Sequence, residues 1–176
     1  MNRILLILLL FAAGLSGCSK TSNNADAINA QLVIDKKVIT SYLKNNNITA
    51  TQVDSSGIGT GIYYTVDTVG TGVNLYTNST LVTMSYTGTL LNTNGTLGAV
   101  FAQTNTPPNN FHPSFVLGSV IEGWQLGLPA AKVGVGGTLT LYVPSKYAYG
   151  PYAQPQIGLP ANAVLIFNIT IFNITN

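Results

Sequence analysis

Apolar residues change period twice along this chain. Ile4 to Ala13 form an unbroken apolar stretch behind the positive charge of Arg3. From Ala25 to about Asn46 the residues Ile28, Leu32, Val38, Ile39, Tyr42 and Leu43 recur at roughly helical spacing, and Asn45-Asn46-Asn47 supplies a stop. One amphipathic helix is predicted there. Such a helix packs on its own domain or pairs with a second copy, and packing on its own domain is the expectation. Gly57, Gly59 and Gly61 punctuate a short connection, after which the period becomes two.

The alternation is clear in Ile62, Tyr64, Val66, in Val82, Met84, Tyr86, in Leu139, Leu141, Val143, and in Leu165, Phe167, Ile169, Ile171. Each set points to one side of a strand, with its neighbours on the other, so a sheet with one buried face is predicted. Between the strands, Glu122 to Leu128 reads as a short helix ended at Pro129, which cannot continue a helix. The class is α+β. The expected segments are 1–17 as an export signal, 18–24 as a flexible polar tether, 25–58 as a helical extension and linker, and 59–176 as the sheet domain.

Composition narrows the function. With 46% hydrophobic and 7% charged residues over 176 positions, the chain can bury the core of one ordinary domain. A formal net charge of +2 spread over few basic residues leaves no basic stripe of the kind phosphate backbones require, so nucleic acid is not an expected partner. Gly134, Gly136 and Gly137 precede a strand and read as a turn, since a phosphate loop would have to open a helix. No cysteine nucleophile and no cluster of His and carboxylates for a metal is evident, and no cofactor is expected. Asn168-Ile169-Thr170 matches a glycosylation triplet but reads as strand.

The apolar stretch near the start is too short to span a bilayer and is followed by Leu15-Ser16-Gly17-Cys18. This run resembles the lipobox at which bacterial lipoproteins are lipidated on cysteine and cleaved; an ordinary export signal is the other reading. Cys18 is the only cysteine, so no disulfide can form within the chain, and an acylated Cys18 leaves no free thiol. Ser19 follows it, and aspartate there would have suggested inner-membrane retention. The expectation is a lipid-anchored protein of the bacterial cell envelope, on the outer membrane and facing the periplasm.

Four segments in order, VTMSYTGTL from Val82, FVLGSVIEGWQLGL from Phe115, VPSKYAYG from Val143 and GLPANAVLIFNI from Gly158, resemble the FKBP family of peptidyl-prolyl isomerases. The resemblance implies a curved antiparallel five- or six-stranded sheet wrapped around a short helix containing Trp124, here preceded by one amphipathic helix. It implies a cleft walled by Tyr86 and Phe101, floored by Trp124, and completed by Phe167 and Leu159. The same resemblance gives the Ile121 backbone N–H, after Val120, to a substrate carbonyl and the Tyr149 hydroxyl, beside Ala148, to hydrogen bonding. Proline-containing peptides, unfolded envelope proteins and macrolide inhibitors are the implied partners. The chemistry asked is modest: the prolyl amide rotates over a barrier of roughly 18 to 20 kcal/mol, and a dry cleft favours the twisted, less charge-separated form.

The chain also departs from the family. Where active members have aspartate after the pocket phenylalanine, the run here is Phe101-Ala102-Gln103-Thr104, and no Asp occurs after Asp67. An extra stretch around Thr96 to Val100 precedes it. A histidine frequent after the AYG segment is replaced by Gln154-Pro155, and His112, the only histidine, reads as a solvated loop residue. Two functions therefore stand: a weakened isomerase, and a binding or chaperone module that grips proline-containing segments without turnover.

Overall fold

The computed structural model describes residues 20–176 apart from 56, 73–75 and 107–108; the lipobox and Cys18 lie outside them. Helix α1 spans Lys20–Asn45. Residues 20–24, expected as tether, are therefore helical. No Gly or Pro interrupts this span, so nothing in it opposes extending the helix toward the N-terminus.

Nine strands follow: β1 Thr51–Ser55, β2 Ile58–Thr68, β3 Leu81–Leu91, β4 Leu97–Gln103, β5 Asn105–Thr106, β6 Asn109–Asn110, β7 Ser114–Val116, β8 Thr138–Val143 and β9 Val164–Thr175. Strands β5 and β6 pair antiparallel in a small two-stranded sheet of their own. The rest make one antiparallel sheet in the order β1-β2-β8-β9-β3-β4, with three-residue β7 also paired to β3. β7 brings the sheet to seven strands, one above the expected upper count.

The second helix, α2, spans Glu122–Ala131 and lies on one face of the sheet. Its Gly123 and Gly127 are four apart, hence on one side of the helix. A Cβ on Gly123 would come within 2.4 Å of Val143 Cγ1, and one on Gly127 within 2.8 Å of Leu141 Cδ2. Both glycines therefore set how closely α2 can approach β8. Pro129 does not end the helix but lies inside its last turn. So close to the terminus it removes a single helical bond, and Lys132, in the left-handed conformation, closes the end by donating its N–H to Leu128 O.

Two apolar layers result. Leu139, Leu141, Val143, Leu165, Phe167, Ile169 and Ile171 pack against Trp124 and Leu128 of α2. On the opposite face Val38, Ile39 and Leu43 of α1 cover Leu91, Tyr142, Val164 and Ile166. With both faces covered, Val164 through Phe167 are buried consecutively and the period-two signal vanishes there. The amphipathic helix thus packs on its own domain, fastened also by Asp35 to Ser145 and by Lys36 Nζ, which donates to Gly59 O at 2.8 Å.

Candidate active site

A cleft of about 480 Å³ opens between α2 and the concave face of the sheet. Trp124, in the first turns of α2, is nearly buried at 4% exposure and lies beneath it. Rings stand edge-on around the indole: Tyr86 at 4.9 Å and 81°, Phe167 at 5.2 Å and 84°, and Phe115 at 5.8 Å and 86°. Phe101 meets Phe167 in the same way at 5.8 Å and 83°. Edge-to-face contacts set positive ring edges on negative faces, an arrangement that fixes each ring's orientation. Trp124 Nε1 is buried without a hydrogen-bond acceptor among the described residues, and the surrounding ring faces are the available compensation.

Each wall has a local cause. Tyr86 comes from the middle of β3, on the same side as Met84 and Gly88, and Phe167 from β9, where it registers with Gly88. Gly88 also pairs with Ala102 of β4. A Cβ on Gly88 would meet Phe101 Cζ at 2.6 Å, so the glycine of the YTG segment makes room for the phenylalanine ring. Ile121 is the N-cap of α2. Its carbonyl accepts the Trp124 N–H at 3.0 Å, while its own N–H has no acceptor among the described residues, as first-turn amides commonly lack one. The Gln125 side chain fixes the preceding peptide by donating to Val120 O at 2.7 Å.

The structure brings Tyr86, Phe101, Ala102, Val120, Ile121, Trp124, Tyr149 and Phe167 together around the cleft, as expected from sequence. Leu159 and Ala148 do not line it. Leu159 is 2% exposed in the core, because Gly158, at φ 72°, reverses the chain after Ile157, and Ile157 faces the cleft instead. Phe115 and Ser119 also line it and were not singled out. Phe115 had a signal, since it opens the FVLGSVIEGW segment. Its role follows from β7, where it registers with Val82 and is more buried than Ser114 and Val116. His112 lies in a loop, as expected, but is only partly solvated: its ring stacks on Phe172 at 3.7 Å and 16°, with Nδ1 buried and unpartnered among the described residues. That contact belongs to the surface outside the cleft.

Among the described residues no charged side chain lines the cleft. Burial raises the Tyr86 phenol above its ordinary range, and the neighbouring Tyr149 raises it further, so the Tyr86 hydroxyl faces the cleft as a neutral group at neutral pH. Ala102 presents a methyl group at the wall. The arrangement can desolvate an apolar, uncharged ligand and offer it a few fixed donors. It holds no nucleophile or base poised for proton transfer among the described residues.

The sequence pattern of the family described as FKBP-type peptidyl-prolyl cis-trans isomerase matches residues 72–172. FK506-binding protein 1 of Saccharomyces cerevisiae is 34% identical over 105 residues, covering 60% of this chain and 85% of that protein. The FKBP-type isomerase FkpA of Aeromonas hydrophila is 32% identical over 143 residues, covering 80% of this chain and 49% of that protein. Among solved structures, FkpA of Escherichia coli superposes with a TM-score of 0.60 at 25% identity, over 98% of this chain and 71% of that one. The peptidyl-prolyl cis-trans isomerase of Pseudomonas syringae pv. tomato has the same fold, with a TM-score of 0.63 at 22% identity over 84% of this chain and 96% of that one.

Proposed function

The chain belongs to the FKBP-type peptidyl-prolyl cis-trans isomerase family, and from that premise we propose that its cleft accelerates rotation about Xaa-Pro bonds of exported proteins in a bacterial cell envelope. The observation that carries this reading is the uncharged aromatic cleft over Trp124, with Ile121 and Tyr149 among its lining residues. Removing water from the prolyl carbonyl disfavours the planar, charge-separated amide relative to the twisted one. The Ile121 N–H and the Tyr149 hydroxyl are the donors that hold the peptide while it turns, and no covalent step is needed. Macrolides that bind the yeast relative named for FK506 are ligands of the same cleft in this reading.

Ala102 makes the isomerase a weakened one. A methyl group supplies no polarity where active members place a carboxylate, yet desolvation by Phe101, Trp124 and Phe167 does not depend on it. The same residue supports a second reading, a binding or chaperone module without turnover. Isomerisation of a short Xaa-Pro peptide separates them. Acceleration over the spontaneous rate is expected, and binding without acceleration would leave only the module.

Location rests on the sequence Leu15-Ser16-Gly17-Cys18. A lipid on Cys18 would anchor the chain to the outer membrane, facing the periplasm, with α1 beginning two residues further on at Lys20. Cys18→Ser should abolish incorporation of labelled fatty acid and membrane fractionation while leaving the domain folded. Equal labelling of both proteins would overturn the anchor.

A further inference from the structure

The turn that carries Tyr149 is gripped from the far side of the sheet. Ser145 opens the short 3-10 turn Ser145–Tyr147 and is 2% exposed. Its carbonyl accepts the N–H groups of Ala148 at 2.9 Å and Gly150 at 2.8 Å, the two neighbours of Tyr149. Its own amide and hydroxyl both donate to Asp35 Oδ2, at 2.8 and 2.6 Å. Asp35 belongs to α1 and is 1% exposed, and its Oδ1 accepts from Gln31 Nε2 at 2.8 Å. Both carboxylate oxygens are thus engaged by neutral donors. On the other side, the turn abuts Gly123, where a Cβ would lie 3.2 Å from Tyr147 O, one residue before Trp124.

A buried carboxylate is a costly way to dock a helix that already seats Val38, Ile39 and Leu43 on the sheet. Its bonds converge instead on one residue of the cleft loop. We propose that Asp35 is a positioning residue of the cleft: by fixing Ser145 it sets the path of residues 145–150 and hence the place of the Tyr149 hydroxyl. Helix α1 then becomes part of the site's support, although none of its residues lines the cleft. The catalytic consequence rests on the isomerase reading; the structural link does not.

The experiment crosses Asp35→Ala with Tyr149→Phe in the whole chain, and measures kcat/KM on a short Xaa-Pro peptide well below the melting temperature. If Asp35 acts through Tyr149, its loss should lower efficiency about tenfold when Tyr149 is present and less than about twofold when position 149 is already Phe, misplacement by ~1 Å being enough for such losses. Equal losses in both backgrounds would reduce Asp35 to a stability role and overturn the proposal. Amide hydrogen exchange gives a second readout that does not need turnover. Ala148 and Gly150 should exchange at least about tenfold faster in Asp35→Ala while Phe167 and Ile169 in β9 are unchanged, as local rather than global opening requires. Unaltered exchange at those two amides also overturns it. Should the wild type not accelerate isomerisation, the functional reading fails while the exchange comparison still decides the link. If Asp35→Ala does not fold, Ser145→Ala, which keeps the backbone amide bond and loses the hydroxyl, is read by the same two measurements.

Discussion

Gly88→Ala tests the geometry of the cleft more sharply than removing any of its rings. The added methyl would sit 2.6 Å from Phe101 Cζ and 2.9 and 3.0 Å from the two adjoining ring carbons. Carbon atoms rest at about 3.5 to 4.0 Å, so the ring must retreat by roughly 1 Å. Phe101 stands on β4, the edge strand, and is only half-buried, so its ring swings while the backbone stays. Swinging off a favoured rotamer costs about 0.5 to 1.5 kcal/mol. Replacing glycine at a position that is not left-handed returns about 0.4 to 1 kcal/mol through the unfolded chain. The two nearly cancel, and the melting temperature should move by no more than about 2 to 4 °C, the shift a domain of this size shows per kcal/mol.

The cleft does not share that cancellation. Its outer wall is displaced by about 1 Å, and efficiency on a prolyl peptide should fall about tenfold. Gly127→Ala is the companion: its methyl would press on Leu141, which is fully buried, at 2.8 Å. That variant should lose about 1 to 3 kcal/mol, with efficiency following stability. Trp124, the only tryptophan, reports both unfolding and peptide binding by fluorescence. Wild-type efficiency in Gly88→Ala would refute Phe101 as a wall, and a stability loss equal to that of Gly127→Ala would show that the strand yields rather than the ring.

Tyr149→Phe should keep the fold and lower efficiency a few-fold, by about 0.5 to 1.5 kcal/mol, if the hydroxyl bonds the substrate carbonyl; unchanged kinetics would discard that pose. Ala102→Asp should raise turnover on the same peptide and lower the melting temperature, because no cation among the described residues lines the cleft to pair with the new carboxylate; lower turnover would show that position 102 is better apolar. Alkaline unfolding provides a test away from the cleft. Burial raises Tyr76 and Tyr142 from 10 to about 12, so their contribution to stability is intact below pH 10 and is lost as the pH rises through 12, since the unfolded chain ionises first. Equilibrium unfolding followed from pH 9 upward should show this decline starting near 10, and a flat profile would contradict it.

Much of the sheet was legible because strands with one covered face keep their period, as in Ile62, Tyr64 and Val66 or Val82, Met84 and Tyr86. β4 was not, since Leu97 to Gln103 contains no fully buried residue and so carries no alternation to read. Pro129 misled because its cost depends on distance from the helix end, which local sequence does not fix. The cleft residues were legible by resemblance and not by pattern: Trp124 alone reads as any buried aromatic. Ile157 and Leu159 exchanged places because one left-handed glycine between them decides which points outward. Asp35 was missed entirely. Its partner Ser145 is 110 residues away in sequence, and their hydrogen bonds form only in the folded chain, so no local spacing announces them.

The strand order carries a consequence in time. β9, the last strand, lies between β8 and β3, with Leu81 opposite Thr175 and Leu91 opposite Val164. Until β9 has been made, β3 and β8 are not joined, Phe167 is missing from the cleft, and the layer beneath α1 lacks Val164 and Ile166. The sheet therefore cannot close piecemeal, because its two halves meet only through the twelve residues of β9. Pairings between such distant positions close slowly, because chain entropy is lost before contacts compensate it. If the cleft acts on other chains as proposed, the protein that eases their slow steps has a long-range step at the centre of its own assembly.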